Sequence, residues 1–221
     1  HTLLREMHQA IIDNLKIVLA IASGTKEKLE RVDRIMSEHR DENGDFVHIG
    51  EEAKWVERIL NWYKEHPYNV LHIIDSYFHA EDLYIVKMLM DVNNGLNCSI
   101  LTCKDVDAHK NESLDDVFQN GWNRWSSELP GRIEVKSCCY RHDQRNAPFH
   151  DRWWVLQDTE SDKAVGLRMA SVSTMGNRIA EVSELNDDDI ASANKLWTRF
   201  FQNMVPKVES RDLDYDEAKL R

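Results

Sequence analysis

Apolar positions along residues 2–39 recur at heptad-like spacing. Leu4, Ile11, Val18, Thr25 and Val32 fall on one register; His8, Leu15, Ala22, Leu29 and Met36 fall on the other. Such a seam implies helix, packed within the chain or against a partner. Ser23-Gly24-Thr25 interrupts it, so one helix with a weak point and two helices both fit, and residues 16–21 also suit a strand. Asp41-Glu42-Asn43-Gly44-Asp45 is a turn-rich break. Residues 51–65 then read as an amphipathic helix with Ala53, Val56, Ile59, Leu60 and Tyr63 on its apolar face, stopped by Pro67.

From residue 69 the period changes. Short β-rich runs at 69–75, 97–103 and 132–138 alternate with helical patterns at 81–91 and 114–129. Strands at 152–157 and 164–171 follow, joined by a turn at Thr159-Glu160-Ser161-Asp162. A closing helix over 189–205 carries Ile190, Ala193, Leu196, Trp197, Phe200 and Phe201 on one side. This alternation predicts an α/β layer. The divisions expected are a helical segment over 1–65, an α/β domain over 66–204 and a charged tail over 205–221.

The chemistry concentrates at Pro148-Phe149-His150-Asp151-Arg152-Trp153-Trp154. His150 and Arg152 are two apart, so an extended backbone sends both side chains to one face. An imidazole can attack phosphorus or shuttle a proton, and a guanidinium grips phosphate with a planar fork. An ordinary strand end with a salt bridge and a surface histidine would read the same. Downstream come Ala170-Ser171-Val172-Ser173 and, eleven residues after Ser173, Glu184. Earlier, Asp75-Ser76-Tyr77-Phe78 ends the first strand of the layer, where ligands of α/β sheets gather.

Together these residues resemble the phospholipase D superfamily, whose signature is His-x-Lys-x4-Asp, then Gly-Ser-x-Asn, then a supporting glutamate. His150 takes the histidine place, Arg152 the lysine place, Ser171 the serine place and Glu184 the glutamate place. Gln157 stands for the aspartate, Ala170 for the glycine and Ser173 for the asparagine. Asp75-Ser76-Tyr77 resembles the family's aspartate-proline-tyrosine turn. The likeness covers roughly 66–204 and includes one copy of the motif. It implies a mixed sheet flanked by helices, with His150, Arg152, Ser171 and Glu184 catalytic and Ser173, Asp75 and Tyr77 binding substrate. It also implies metal-independent phosphodiester cleavage through a phospho-histidine, with no cofactor. Because the family uses two motifs across a two-fold axis, one motif implies a homodimer. The family also contains members that bind without catalysis, so a binding or oligomerisation module of a larger protein is the competing expectation.

Composition narrows the classes further. The chain has 221 residues, 42% hydrophobic and 30% charged, long enough for one full core. No apolar run approaches the ~20 residues of a membrane span. A net charge of −11 weighs against unspecific binding to nucleic acid or anionic lipid, although 132–152 carries five Lys/Arg against three acids. The preferred partner is a phosphodiester substrate, nucleic acid before lipid. Cys98, Cys103, Cys138 and Cys139 form no CxxC, which suits reduced thiols in a cytoplasmic protein and no metal site. The first residue is His1, which suggests a longer parent chain with further domains.

Overall fold

A computed structural model describes residues 46–47, 50, 52–103, 112–127, 132–143, 146–170, 172 and 180–220. All belong to a compact unit spanning Asp45–Arg221, and the heptad segment lies outside the described residues. Its elements are β1 (Phe46–Val47), α1 (Glu52–Glu65), β2 (Val70–Ile74), α2 (Leu83–Val92), β3 (Asn97–Thr102) and α3 (Leu114–Asn123). There follow β4 (Ile133–Tyr140), β5 (Trp153–Asp158), β6 (Lys163–Met169), β7 (Ala180–Glu184), α4 (Asp187–Trp197), β8 (Lys207–Val208) and β9 (Arg211–Lys219). Strand order across the sheet is β1-β7-β6-β5-β2-β3-β4-β9-β8. The β2–β3 and β3–β4 pairs are parallel, and the rest are antiparallel. The fold is the mixed sheet flanked by helices that the sequence led us to expect.

The parallel strands are the ones fed by helical crossovers. Antiparallel β5 and β6 are joined by the predicted turn, where Asp158 accepts from the backbone of Glu160. Burial sorts by strand parity. Leu71, Ile73, Ile100, Val135, Trp154 and Leu156 share one core with α1, α2 and α3. Ile74, Leu101, Trp153 and Val155 share another with Ala193 and Trp197 of α4. Adjacent residues of one strand thus feed opposite faces.

Two expectations are corrected. The buried face of α1 is Trp55, Ile59, Trp62 and Tyr63, whereas Ala53 is exposed and Val56 and Leu60 are half-buried. The two tryptophans bury far more surface than alanine, so they set the rotation of the helix. This places α1 in the same core as the sheet. Residues 205–221 contain no free tail among the described positions. Asp212, Asp214 and Asp216 alternate with Leu213 and Tyr215 along β9, which zips onto β4. Leu213, Ala218 and Leu220 are buried, and the charges lie outward, where Arg141 pairs with Asp214 at 2.8 Å. A period-two pattern dense in acids looked like a solvated tail.

Candidate functional site

The parallel strands β2, β3 and β4 all end at one rim, and the buried polar residues collect there. Asp75, Ser76, Asp82, Thr102 and Ser137 are each less than a tenth exposed. Asp75 and Ser76 follow β2, Thr102 closes β3, and Ser137 lies beside Thr102 in register. In the middle of the sheet the same positions are aliphatic. The rim is where side chains can reach both the core and a ligand.

Asp75 is 1% exposed and continues the ladder, its backbone N–H donating to the Leu101 carbonyl. Its carboxylate accepts from the Tyr77 backbone N–H at 2.9 Å and faces the Arg152 Nε at 3.7 Å. That carboxylate therefore both builds the turn and holds the cation. Arg152 enters the mouth of β5 opposite, where its carbonyl accepts from Met169. Its guanidinium lies 4.9 Å from the centre of the Tyr77 ring, and Tyr77 itself is half-exposed. Carboxylate behind and ring alongside leave the guanidinium oriented and partly wet, with Nε making no hydrogen bond. An arginine held this way presents its outer N–H groups as a fork suited to a phosphate or carboxylate.

His150 is exposed just ahead of Arg152, and its neighbour Phe149 is buried against Phe200, which follows α4, with ring centres 5.8 Å apart. The aromatic anchor turns the neighbouring imidazole outward. Asp82 and Thr102 extend the rim beyond what the motif reading found. Asp82 accepts from the His79 backbone N–H at 2.9 Å in a reciprocal cap of the short 3-10 turn Ala80–Asp82. Burial, reinforced by the nearby charges of Asp75 and Glu81, pushes its carboxyl up to about 7. Thr102 donates to the Phe78 carbonyl at 2.9 Å and so fixes the loop that carries Tyr77. The His-Ala-Glu-Asp spacing of the cap was visible in the sequence; the burial of Asp82 was not.

The remaining motif residues divide. Ser171 and Ser173 lie outside the described residues. Gln157 donates to Asn194 of α4 at 3.0 Å, tying β5 to that helix. Glu184 ends β7 opposite Leu167, which is itself opposite Trp154. It is exposed and lines a groove of about 370 Å³ with Lys54, Arg58, Asn61 and Trp62 of α1. Two strand spacings separate β7 from β5, roughly 10 Å. Of the seven expected site residues, Asp75, Tyr77 and Arg152 are in mutual contact, with His150 next along the chain.

No helix among the described residues is long and apolar enough to cross a membrane, and no cluster of three metal-ligating side chains occurs among them. No protein-family model and no curated protein matches the sequence. Among solved structures the chain is similar to part of a polyphosphate kinase from Porphyromonas gingivalis, at 10% identity and a TM-score of 0.36. The match covers 69% of this chain and 20% of that one, so the chain spans about a fifth of the enzyme's length.

Proposed function

We propose that the chain is a phospholipase-D-like phosphodiesterase acting on nucleic acid, with Arg152 as phosphate clamp and His150 as nucleophile. The observation that carries this reading is the orientation of Arg152 between buried Asp75 and the Tyr77 ring, with an exposed imidazole two residues away. In the first step an imidazole nitrogen of His150 attacks phosphorus and the bond to the leaving oxygen breaks. Arg152 holds the non-bridging oxygens as negative charge builds on them. Water then attacks the phospho-histidine, the P–N bond breaks and the imidazole returns. The leaving oxygen takes its proton from the His150 of a second copy, so the active form is a homodimer with both rims facing each other. Ser171, Ser173 and Glu184 are assigned supporting roles on the motif alone, and a cytoplasmic setting agrees with four cysteines that form no disulfide.

A second reading, a binding module for a phosphorylated ligand, draws on Glu184. Its groove against α1 suits a structural carboxylate better than a partner for His150. Cleavage assays on single-stranded and duplex nucleic acid in EDTA separate the two. On the enzyme reading wild type cleaves, His150→Ala abolishes cleavage and retains binding, and Arg152→Ala weakens both. Loss of one charge-assisted hydrogen bond costs roughly 1.5–3 kcal/mol, about tenfold or more in phosphate affinity. Phosphate binding lost in Arg152→Ala without cleavage in any form selects the binding module. Indifference of both properties to both changes removes both readings.

A further inference from the structure

Away from the phosphate clamp, two sulfur atoms meet where β3 and β4 end. Cys103 follows directly on β3, and Cys139 lies in β4 two residues past the Thr102–Ser137 register pair. Their Sγ atoms are 2.7 Å apart, and both residues are buried beside Phe149, Trp153 and Leu213. A disulfide needs ~2.0 Å between sulfurs and side chains already aimed at each other. Less than an ångström of closure remains, and both backbones belong to one sheet.

The other two thiols are arranged differently. Cys98 opens the opposite end of β3 beside Ile133 and is buried in the other core. Cys138 shares a hydrogen bond with the Tyr215 hydroxyl. A bond between adjacent Cys138 and Cys139 would break the strand, since neighbouring side chains of a strand diverge. We propose that Cys103 and Cys139 form a reversible oxidation site that takes a hydroperoxide as oxidant and closes as an intramolecular disulfide.

The electrons balance with one peroxide per bond. The Cys103 sulfur attacks a peroxide oxygen and the O–O bond breaks. The departing oxygen takes a proton and leaves as water or alcohol, giving a sulfenic acid on Cys103. The Cys139 sulfur then attacks the Cys103 sulfur, and the S–O bond breaks. The hydroxide released takes the Cys139 proton and leaves as a second water. The hydrogen bond to Cys139, together with burial, pushes the Cys103 thiol up, so the first step is slow at neutral pH and quickens as pH rises.

The bond would link positions 36 residues apart. Closing a loop of that length raises the melting temperature, by roughly 8–15 °C on the chain-entropy account. It also pins the end of β3 one residue from Thr102, whose hydroxyl holds the Tyr77 loop through Phe78.

The test treats the folded 221-residue protein with hydrogen peroxide at pH 8, blocks remaining thiols under denaturing conditions, and maps the peptides by mass spectrometry. The expected product is a monomeric chain with a Cys103–Cys139 link, Cys98 and Cys138 alkylated, and full reversal by dithiothreitol. Cys103→Ala and Cys139→Ala each lose the link, whereas Cys98→Ala keeps it. The wild-type map stands by itself should an alanine variant fold poorly. Four alkylated cysteines after oxidation, a link through Cys138, a link between chains, or irreversible oxidation of Cys103 would each overturn the site.

Discussion

On one face of the sheet His72 lies flat against Trp197, ring centres 4.0 Å apart, and Trp197 lies flat against Phe201 at 3.9 Å. At the rim, Asp82 is buried where His72 is only half-buried, and its surroundings are a backbone N–H and the carboxylates of Asp75 and Glu81. In both regions desolvation disfavours the charged form of an ionisable side chain. Burial pushes the His72 imidazole down to about 4 and the Asp82 carboxyl up to about 7. The aromatic column offers no polar partner to a charge, and the His72 Nδ1 makes no hydrogen bond. The rim does: two residues of backbone bring Asp75 and Tyr77 onto Arg152. Burial of an ionisable group therefore does not by itself mark a site.

The strongest way to break this contrast is Trp197→Ala. The column should collapse, costing roughly 3–5 kcal/mol in urea titrations, while phosphate binding by the folded fraction stays as in wild type. A change in phosphate affinity would mean that the column reaches the rim.

The two titrations should pull in opposite directions. His72 is neutral in the fold and protonates near 6.5 when unfolded, so its contribution is whole above that pH. It is lost progressively as pH falls from about 6.5 to about 4. His72→Phe keeps a ring on Trp197 and should flatten that acid limb, sparing roughly 2–3 kcal/mol at pH 4. Asp82 ionises near 3.8 unfolded but near 7 folded, so it weakens the protein increasingly from about 3.8 to about 7 and fully above. Asp82→Asn retains an acceptor for His79 and should stabilise at pH 8 by on the order of 2 kcal/mol, a gain that shrinks toward pH 4. Urea midpoints at several pH values read both slopes. Parallel slopes would contradict the account.

How much of this was legible beforehand follows from the physics of each part. The alternation of Val-Leu-His-Ile-Ile with helical runs marks β2, β3 and β4, because buried parallel strands read as apolar runs. Strand β7, Ala-Glu-Val-Ser-Glu, has Val182 as the buried one among its described side chains and so carries too little period to notice. β9 has the period, but its aspartates read as a solvated tail. The contact of Asp75, Tyr77 and Arg152 was half visible. His150 and Arg152 stood out by spacing, and Asp75 by its place after a strand, but their joining depends on β2 and β5 being antiparallel neighbours. That pairing links residues nearly eighty positions apart, which local pattern does not encode. The Cys103–Cys139 contact is likewise a product of β3–β4 register.

Smaller in effect is Asp75→Asn. Asparagine still accepts from Tyr77, and Arg152, with a third of its side chain exposed, can turn partly to water. The loss should be about 1–2 kcal/mol by urea denaturation, less than the column mutant. A larger loss would mean that Arg152 is structural, held in the core by Asp75 instead of presented by it.

The most direct test of the central claim is to trap the intermediate. A nucleic acid substrate carrying labelled phosphate is mixed with the protein in EDTA, quenched in alkali, where phospho-histidine survives, and digested for mass spectrometry. The account predicts label on His150, none in His150→Ala, and less in Arg152→Ala. Label on another residue, or product released with His150 never modified, would contradict it.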